Sequence, residues 1–392
     1  MPAWPELAEE LKQLEAAGAF RRLRGFERRE GPYVWLAGRR LLNLSSNDYL
    51  GLAGDPEWLR AFLAQAADAV DVDRSGLGAT ASRLLAGNHP GYQKLEENLA
   101  RAYGREAALV ASSGYHANCG LLPALAGPQD AVFSDRLNHA SLWDGLRLSG
   151  AQSHRFRHRD YGHLESLLAR HRGQARRALI VSESVFSMDG DRADLDALIA
   201  LKTRWNARLI LDEAHAVGVL GPTGLGLAEA QGRIADVDVL VGTFGKALAG
   251  FGAFLVSERE LADYLVNKMR TLIFTTALPP LQVAWLDWMW SRRGEWAGRR
   301  ERLAALAAGL RRSLQAEGLA VPGDTHIVPV TLGENEAAVR TAALLQAEGF
   351  WVLPIRPPTV PQGSARVRLS LTAAMDPADL ERVPGLIRAA AA

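Results

Sequence analysis

The stretch Ala207-Arg208-Leu209-Ile210-Leu211-Asp212-Glu213-Ala214-His215 decides the fold of this chain. It begins as a mostly aliphatic run and then turns abruptly acidic, as a buried parallel strand does where it ends at a site. A second apolar run, Val237 to Val241, leads to Thr243-Phe244-Gly245-Lys246 just past its own end. A carboxylate, an imidazole and an amine are therefore expected together at the ends of two neighbouring strands.

Strand-like and helical segments alternate on both sides of this stretch, which predicts an α/β domain with a mainly parallel sheet. Further candidate strands cover residues 107–111, 131–133 and 178–181. From about residue 285 the pattern changes to helix, strand, helix, short strands and helix, which is typical of an α+β domain. The sequence thus predicts an N-terminal helix and arm over 1–45, a large α/β domain over 46–285, and a small C-terminal α+β domain over 286–392.

Composition limits the classes of partner. The net charge of the 392-residue chain is +1, so electrostatics give no case for a nucleic acid or an anionic membrane. The single cysteine, Cys119, excludes an intrachain disulfide framework and suits a reducing cytoplasm. The first fourteen residues contain no apolar core of a signal peptide, so a cytoplasmic location is expected. The spacing of histidine and cysteine predicts no metal site.

The predicted cluster suits pyridoxal 5'-phosphate (PLP), a cofactor with a reactive aldehyde and a basic ring nitrogen. Lys246 would form the Schiff base and Asp212 would face the ring nitrogen. Asp-Glu-Ala-His also marks a helicase box, but that function needs a phosphate loop with Gly-Lys-Ser/Thr, and here Gly245-Lys246 is followed by Ala247. An ordinary surface lysine is the other alternative, and the apolar, glycine-rich flanks of Lys246 argue against it.

Other predicted strands also end in polar residues. The segment 112–118 opens a helix whose N-terminus could hold a phosphate, although a simple turn with a core Tyr115 is an alternative. His139 follows another strand and could stack on a pyridine ring, or could be structural. Ser187 could donate to the cofactor. Ser75-Gly76-Leu77-Gly78 has no strand before it, so we interpret it as a flexible segment over the site.

Together with these residues, seven motifs resemble the α-oxoamine synthases, a group of fold-type-I PLP-dependent enzymes. The resemblance implies the aspartate aminotransferase-like fold, with a mainly parallel seven-stranded sheet in the large domain and an α+β C-terminal domain. It runs nearly end to end through the following stretches: Asn43 to Leu52, Arg83-Leu84, Asn138-His139-Ala140-Ser141, Phe186 to Asp191, Asp212 to His215, Thr243 to Lys246, and Ile355 to Pro361.

The resemblance implies a role for each matched position in an obligate homodimer with a shared active site. Four residues are expected to be catalytic: Lys246, Asp212, His139 and His215. The cofactor would be held by those four and by Gly114, Tyr115, Ser187 and Thr243, with Thr275 or Thr276 reaching the phosphate of the partner subunit's cofactor. Arg21, Asn47, His139, Thr359 and Arg368 would contact substrate, with Asn47 and Arg368 on the carboxylate of the amino acid.

The implied reaction is a decarboxylating condensation of an amino acid with an acyl thioester. The Pro357-Pro358-Thr359 run is most similar to the branch that serves biotin synthesis, which implies L-alanine and a pimeloyl thioester of coenzyme A or a carrier protein. Alternatives within the family use glycine or serine: 2-amino-3-ketobutyrate ligase, 5-aminolevulinate synthase and serine palmitoyltransferase. An aminotransferase would use the same lysine and aspartate. A cofactor-binding regulator is disfavoured because no DNA-binding segment is evident.

Overall fold

The structure is a computed structural model that describes residues 4–16, 18, 20–69 and 77–391. Ser75 and Gly76 of the predicted flexible segment lie outside the described residues. The chain forms two compact units. The larger unit consists of Asp48–Ser187 and Asp191–Arg302, and the smaller unit of the described residues of Met1–Asn47 with Met188–Gly190 and Leu303–Ala392.

Strands occur in both units. In chain order they are β1 (Arg28–Glu30), β2 (Tyr33–Leu36), β3 (Arg39–Asn43), β4 (Ala107–Ala111), β5 (Ala131–Asp135), β6 (Gln152–Phe156), β7 (Ala178–Glu183), β8 (Arg208–Asp212), β9 (Val239–Thr243), β10 (Ala253–Ser257), β11 (Ile327–Gly333), β12 (Phe350–Trp351), β13 (Pro354–Ile355) and β14 (Ala365–Ser370).

Helices connect most of these strands. In chain order they are α1 (Pro5–Ala16), α2 (Pro56–Ala69), α3 (Pro90–Tyr103), α4 (Gly114–Leu125), α5 (Ala140–Ser149), α6 (Tyr161–His171), α7 (Leu195–Arg204), α8 (Leu227–Ala230), α9 (Arg259–Lys268), α10 (Arg270–Ile273), α11 (Pro280–Ser291), α12 (Ala297–Ala316), α13 (Asn335–Ala347), α14 (Pro377–Leu380) and α15 (Val383–Ala391). Among the described residues, no helix combines the length and the apolar character needed to cross a membrane.

The larger unit is built on a seven-stranded sheet in the order β4-β10-β9-β8-β7-β5-β6. Only β10 runs antiparallel to its neighbours, and the other pairings are parallel. Every residue of β4, β5, β7, β9 and β10 is buried, as expected of apolar strands covered on both faces. The predicted α/β class with a mainly parallel sheet is confirmed.

Local signals in the sequence explain where elements begin and end. Helix α3 ends at Gly104, whose φ of 61° is left-handed and favours glycine. Strand β9 contains Gly242, where a Cβ would lie 2.2 Å from the ring of Phe254 on β10, so only glycine lets these strands approach. Strand β9 begins at Val239, two residues after the predicted start at Val237.

The smaller unit contains two antiparallel-rich sheets. Strands β11, β14 and β13 form one, and helix α13 packs against all three. Strands β1, β2, β3 and β12 form the other, with β12 parallel to β3. Asp376 caps helix α14 by accepting from the Ala378 N–H at 3.0 Å, with Pro377 at the first helical position.

The two compact units divide at Arg302 and Leu303. Helix α11 belongs to the larger unit because it packs against α3, where the Asn98 amide donates to Asp287 at 2.6 Å and the Trp290 indole donates to the Asn98 carbonyl. The short segment Met188–Gly190 belongs to the smaller unit. The division of the chain into the three predicted domains stays a prediction.

Candidate active site

Three neighbouring parallel strands of the larger unit end in polar residues at one edge of the sheet. Strands β7, β8 and β9 end at Glu183, Asp212 and Thr243. Glu183 pairs in register with Asp212, so their side chains belong to adjacent strand ends. His215 and Lys246 each follow three residues after a strand end. The parallel topology thus gathers the residues at this edge, as their spacing predicts.

Lys246 contacts His215 directly. The lysine Nζ lies 2.8 Å from His215 Nε2, and His215 Nδ1 lies 2.6 Å from the hydroxyl oxygen of Tyr49. Both His215 and Tyr49 are buried. The loop that carries the lysine is fixed by Thr243, whose hydroxyl donates to the Gly252 carbonyl at 3.0 Å and accepts from the Gly245 N–H at 3.1 Å. The amine is therefore held at a defined point.

Asp212 is buried and fully hydrogen-bonded on the protein side. Its Oδ1 accepts from the Ala214 N–H at 2.9 Å, and its Oδ2 accepts from the side-chain amide of Asn118 at 2.7 Å. These two hydrogen bonds fix the orientation of the carboxylate. A buried carboxylate with fixed geometry can hold a protonated ring nitrogen.

Asn118 also connects Asp212 to His139. The other amide hydrogen of Asn118 is donated to Ser141 Oγ at 3.0 Å, and Ser141 Oγ lies 2.8 Å from His139 Nδ1. The Ser141 N–H is donated to the same His139 Nδ1 at 3.2 Å. Because Nδ1 accepts, the proton of a neutral His139 lies on Nε2. Burial lowers the pKa of His139, which favours this neutral form, although Asp212 opposes the shift.

Close packing of two helices makes this link possible. A Cβ on Gly145 of α5 would lie 2.5 Å from the backbone oxygen of Asn118 on α4. Glycine at 145 thus lets α4 and α5 approach closely enough for the Asn118 side chain to reach Ser141. Among the residues that the structure describes, none donates a hydrogen bond to the buried Oδ1 of Asn118. It is therefore an acceptor that a bound group could use.

Glu183 is buried beneath His139. Its carboxylate accepts from the backbone N–H of His139 at 2.5 Å and of Ser187 at 3.3 Å. Burial, followed by repulsion from Asp212, raises the pKa of Glu183 to about 8. Glu183 therefore fixes the backbone of two predicted cofactor residues, His139 and Ser187.

Helix α4 begins beside Thr243. A Cβ on Gly114 would lie 3.9 Å from the Thr243 side chain, so the helix N-terminus faces the end of β9. Ser113 caps the helix by accepting from the His116 N–H at 3.2 Å. Tyr115 is half exposed, and its hydroxyl donates to Asp144 at 2.6 Å, a hydrogen bond that raises the pKa of Tyr115 to about 12. A helix N-terminus that faces the end of the strand before Lys246 suits a phosphate.

The remaining predicted residues lie in three other places. Thr275 and Thr276 lie on a segment that pairs with Ala81 and Ser82. In the smaller unit, both terminal nitrogens of Arg368 donate to Asn47 Oδ1 at 3.2 Å. Arg21 donates to the Thr359 hydroxyl at 3.5 Å on the exposed surface. The four substrate residues predicted in the smaller unit therefore contact one another in two pairs.

These residues fit PLP by their chemistry. The larger unit offers an amine for an aldehyde, a buried carboxylate for a ring N–H, imidazoles for the ring and its oxygen, and a helix N-terminus for a phosphate. The unpartnered Asn118 Oδ1 adds an acceptor beside Asp212.

Sequence reasoning gave no role to three residues of this network: Tyr49, Asn118 and Ser141. The sequence contains signals for two of them, Asn118 and Ser141. Asn118 lies four residues after Gly114 in a helix and so shares its face, and Ser141 lies two residues after His139 at a helix start. Tyr49 follows Asn47-Asp48 in the quoted motif, but its contact with His215 joins segments far apart in the chain and left no local pattern.

Comparison with known proteins shows the family to which the chain belongs. The chain belongs to the aminotransferase class I and II family, whose sequence profile matches residues 39–385. It is 53% identical over 373 residues to the 8-amino-7-oxononanoate synthase of Chlorobaculum parvum, with 95% of each protein covered. This similarity confirms the resemblance predicted from the motifs.

Solved structures show the same fold. A serine palmitoyltransferase from S. paucimobilis with bound PLP superposes with a TM-score of 0.89 at 32% identity, covering 99% of this chain and 97% of that one. The 8-amino-7-oxononanoate synthase of Francisella tularensis superposes with a TM-score of 0.76 at 25% identity, covering 89% of this chain and 97% of that one.

Proposed function

We propose that this protein is a PLP-dependent acyltransferase that condenses L-alanine with a pimeloyl thioester to give 8-amino-7-oxononanoate, a step of biotin synthesis. The observation that supports the chemistry is the Lys246 amine 2.8 Å from His215 at the strand end next to that of Asp212. The choice of substrates is supported by 53% identity to a protein of that name over nearly the full chain.

PLP, when bound, supplies an aldehyde for an amine and a ring that accepts electrons from the α-carbon of an amino acid. The residues proposed to hold it are Lys246, Asp212 and His215, with the N-terminus of α4 for the phosphate. His139 would stack on the ring, and Gly114, Tyr115, Ser187 and Thr243 would complete its contacts. Asp212 would keep the ring nitrogen protonated, because its charge is stabilised by Asn118 and the Ala214 N–H.

Lys246 is the proposed base for alanine. In its neutral form the amine can take the α-proton, and the adjacent imidazole of His215 holds Nζ in place. The α-carbon then forms a bond to the thioester carbonyl carbon, the carbon–sulfur bond breaks, and the thiol leaves. The carboxylate of alanine leaves as carbon dioxide. His139, with its proton on Nε2, is the proposed donor to the thioester oxygen.

Asn47 and Arg368 are the proposed site for the alanine carboxylate. Both terminal nitrogens of Arg368 donate to one side-chain oxygen of Asn47, so Asn47 helps to orient the guanidinium group. A carboxylate matches such a fork with two hydrogen bonds. Arg21 and Thr359 are proposed to contact the acyl substrate.

A second copy of the chain is proposed to complete the site. Leu84, Leu85 and Phe274 are exposed apolar side chains close to the pairing of Ser82 with Thr276. Apolar side chains grouped on a surface mark an interaction site. In a homodimer, Thr275 or Thr276 would then reach the phosphate of the partner's cofactor. Light scattering should give the mass of a dimer, and Leu85→Glu should shift it toward the monomer. The proposed location is the cytoplasm, where Cys119 stays reduced.

Serine palmitoyltransferase is the second candidate, because solved structures of that enzyme superpose on this chain with a TM-score of 0.89. Overall fold does not determine the substrate, however, and the sequence identity is 32% there against 53% for the Chlorobaculum protein. The sequence comparison therefore favours alanine and a pimeloyl group.

Product mass distinguishes these reactions. Purified protein with PLP is incubated with alanine, glycine or serine and with pimeloyl, acetyl, succinyl or palmitoyl thioesters. The proposal expects the mass of 8-amino-7-oxononanoate and release of carbon dioxide with alanine and pimeloyl thioester. A product from serine and palmitoyl thioester alone would establish the second candidate. Accumulation of pyridoxamine phosphate without carbon dioxide would establish an aminotransferase.

A further inference from the structure

Tyr49 lies at the far end of the hydrogen-bond chain that reaches Lys246. The phenol is fully buried, and its oxygen lies 2.6 Å from His215 Nδ1, while the other ring nitrogen lies 2.8 Å from Lys246 Nζ. The two rings are tilted against each other with centroids 6.0 Å apart. A buried tyrosine hydroxyl normally has a hydrogen-bond partner, and here that partner is the imidazole that contacts the lysine.

We infer that Tyr49 is a positioning residue for Lys246: it fixes the ring of His215 and lets the tautomer of that ring follow the charge of the lysine. The inference deepens the proposed function and rests on the role proposed there for Lys246. In this chain of hydrogen bonds Tyr49 acts on Lys246 through His215.

A hydroxyl suits this task because it can both donate and accept. When Lys246 is an ammonium, Nζ donates to Nε2 of His215, and the proton on Nδ1 is donated to the Tyr49 oxygen. When Lys246 is a neutral amine, Nε2–H is donated to Nζ, and the Tyr49 hydroxyl is donated to Nδ1. Each tautomer of His215 is therefore satisfied at both ends, and which tautomer forms is determined by its partners.

The direction in which Tyr49→Phe should change the pKa of Lys246 can be predicted. In Tyr49→Phe both tautomers of His215 lose their hydrogen bond to Tyr49 at Nδ1, but a buried N–H that loses its acceptor is costlier than a ring nitrogen that loses its donor. The ring then favours Nε2–H, which cannot accept from an ammonium. The pKa of Lys246 should therefore fall, by up to about one unit for the loss of one buried hydrogen bond. The substitution leaves the other titratable groups around Lys246 unchanged. Glu183 and His139 interact with Lys246 electrostatically, and Asp212 interacts with both of them.

Tyr103→Phe is the matched control. Tyr103 is also a buried tyrosine of the larger unit, and its hydroxyl donates to the backbone oxygen of Leu225 at 2.9 Å. Both substitutions remove one oxygen and one buried hydrogen bond, so a similar fall in thermal stability is expected. Only Tyr49→Phe should change His215 and Lys246.

The test measures two quantities in the full-length protein, with no acyl thioester present. The ¹⁵N shifts of the His215 ring, identified with His215→Gln, report its tautomer with and without PLP. The pH dependence of labelling of Lys246 by an amine reagent, measured by peptide mass spectrometry without PLP, reports its pKa. We expect Tyr49→Phe to shift the Nδ1 resonance and lower the pKa, and Tyr103→Phe to change neither.

A double-mutant cycle separates positioning from simple packing. If Tyr49 acts through His215, adding Tyr49→Phe to His215→Gln should leave the pKa of Lys246 where His215→Gln alone leaves it. Equal effects of Tyr49→Phe in both backgrounds, or a Lys246 pKa in Tyr49→Phe equal to that in Tyr103→Phe, would overturn the inference. Failure of the condensation itself would instead contradict the proposed function, since neither readout uses that reaction.

Discussion

Two groups of acids and histidines follow strand ends of the seven-stranded sheet in the larger unit. In the first, Asp212 and His215 follow β8, and His215 contacts the amine of Lys246. In the second, Asp135 ends β5, and His158 lies between it and Asp191, with ring nitrogens 3.0 Å and 2.8 Å from the two carboxylates. Both groups are largely buried, and both lie at the edge where parallel strands commonly form sites.

The partners of each histidine explain the difference between the groups. His215 lies between a phenol and an amine, which can each give or take a proton. His158 uses both ring nitrogens on carboxylates. Burial opposes a charge on His158, but its hydrogen bonds to Asp135 and Asp191 outweigh that effect and raise its pKa to about 9. His158 thus links the Asp191 segment to β5 as a cation, whereas the partners of His215 leave room for a proton to move.

The largest effect should come from removing the amine of the first group. Lys246→Ala loses both the attachment point for PLP and the proposed base, so kcat should fall by about 10⁴-fold or more. The measurement is product formation from alanine and pimeloyl thioester, with circular dichroism to establish that the variant folds. Turnover within tenfold of the parent would show that another group removes the proton.

Asp212→Asn should also lower kcat, but by less than Lys246→Ala. Its charge is expected to keep a ring nitrogen protonated, and loss of such an interaction in a buried site lowers kcat by about 10²–10³-fold. Asp135→Asn is the matched change in the second group. It should lower the free energy of unfolding and leave kcat nearly unchanged. Similar losses of kcat from both substitutions would contradict the distinction between the two groups.

Two arginines of the smaller unit allow the same comparison between a residue that binds substrate and a residue that stabilises the fold. Arg368→Lys should raise the KM for alanine by about 10–100-fold, because an ammonium cannot form the bidentate hydrogen bonds that a guanidinium forms with a carboxylate. Arg366 is buried on the same strand and forms an ion pair with Asp189 at 2.7 Å. Arg366→Ala should lower the free energy of unfolding by about 3 kcal/mol because it leaves Asp189 without this partner.

Alanine affinity and denaturant unfolding are to be measured for both arginine variants. If only the Arg366 variant loses alanine, the carboxylate site has been placed on the wrong residue. If neither variant does, the smaller unit does not bind the amino acid.

The smallest expected effect is on the pH dependence of stability, through His158 of the second group. The pKa of His158 is raised in the folded protein, from an ordinary 6.5 to about 9, so the stability it contributes is complete below pH 6.5 and is lost as pH rises through 9. The contribution should be about 2 kcal/mol once screening by solvent is included. Unfolding free energies of the parent and His158→Gln, measured from pH 6 to pH 10, should converge at the alkaline end. A constant difference over this range would show that His158 is not a buried cation.

The sequence predicts the strand-end residues well because topology alone brings them together. Asp212, His215, Thr243 and Lys246 need only two apolar strands to be parallel neighbours, and the apolar runs show that. The sheet order could not be predicted in the same way, since β10 inserts antiparallel between β4 and β9 through contacts distant in the chain.

The rest of the network depends on packing that leaves no periodic signal. Asn118 reaches Ser141 because Gly145 lets two helices approach, and Tyr49 reaches His215 from a segment far earlier in the chain. Arg366 and Arg368 alternate on one strand and look equivalent in the sequence. Their different partners, Asp189 and Asn47, become visible only in the folded smaller unit.

Borohydride reduction of the PLP-loaded protein, followed by peptide mass spectrometry, tests the central claim most directly. Reduction fixes PLP to whichever lysine carries it. Lys202 is a suitable lysine for comparison within the same protein, because it is also largely buried and pairs with Asp238 at 2.7 Å. The account predicts that the label lies on the peptide containing Lys246 and is absent from Lys246→Ala. A label on the Lys202 peptide, or one that survives in Lys246→Ala at the parent's level, would contradict it.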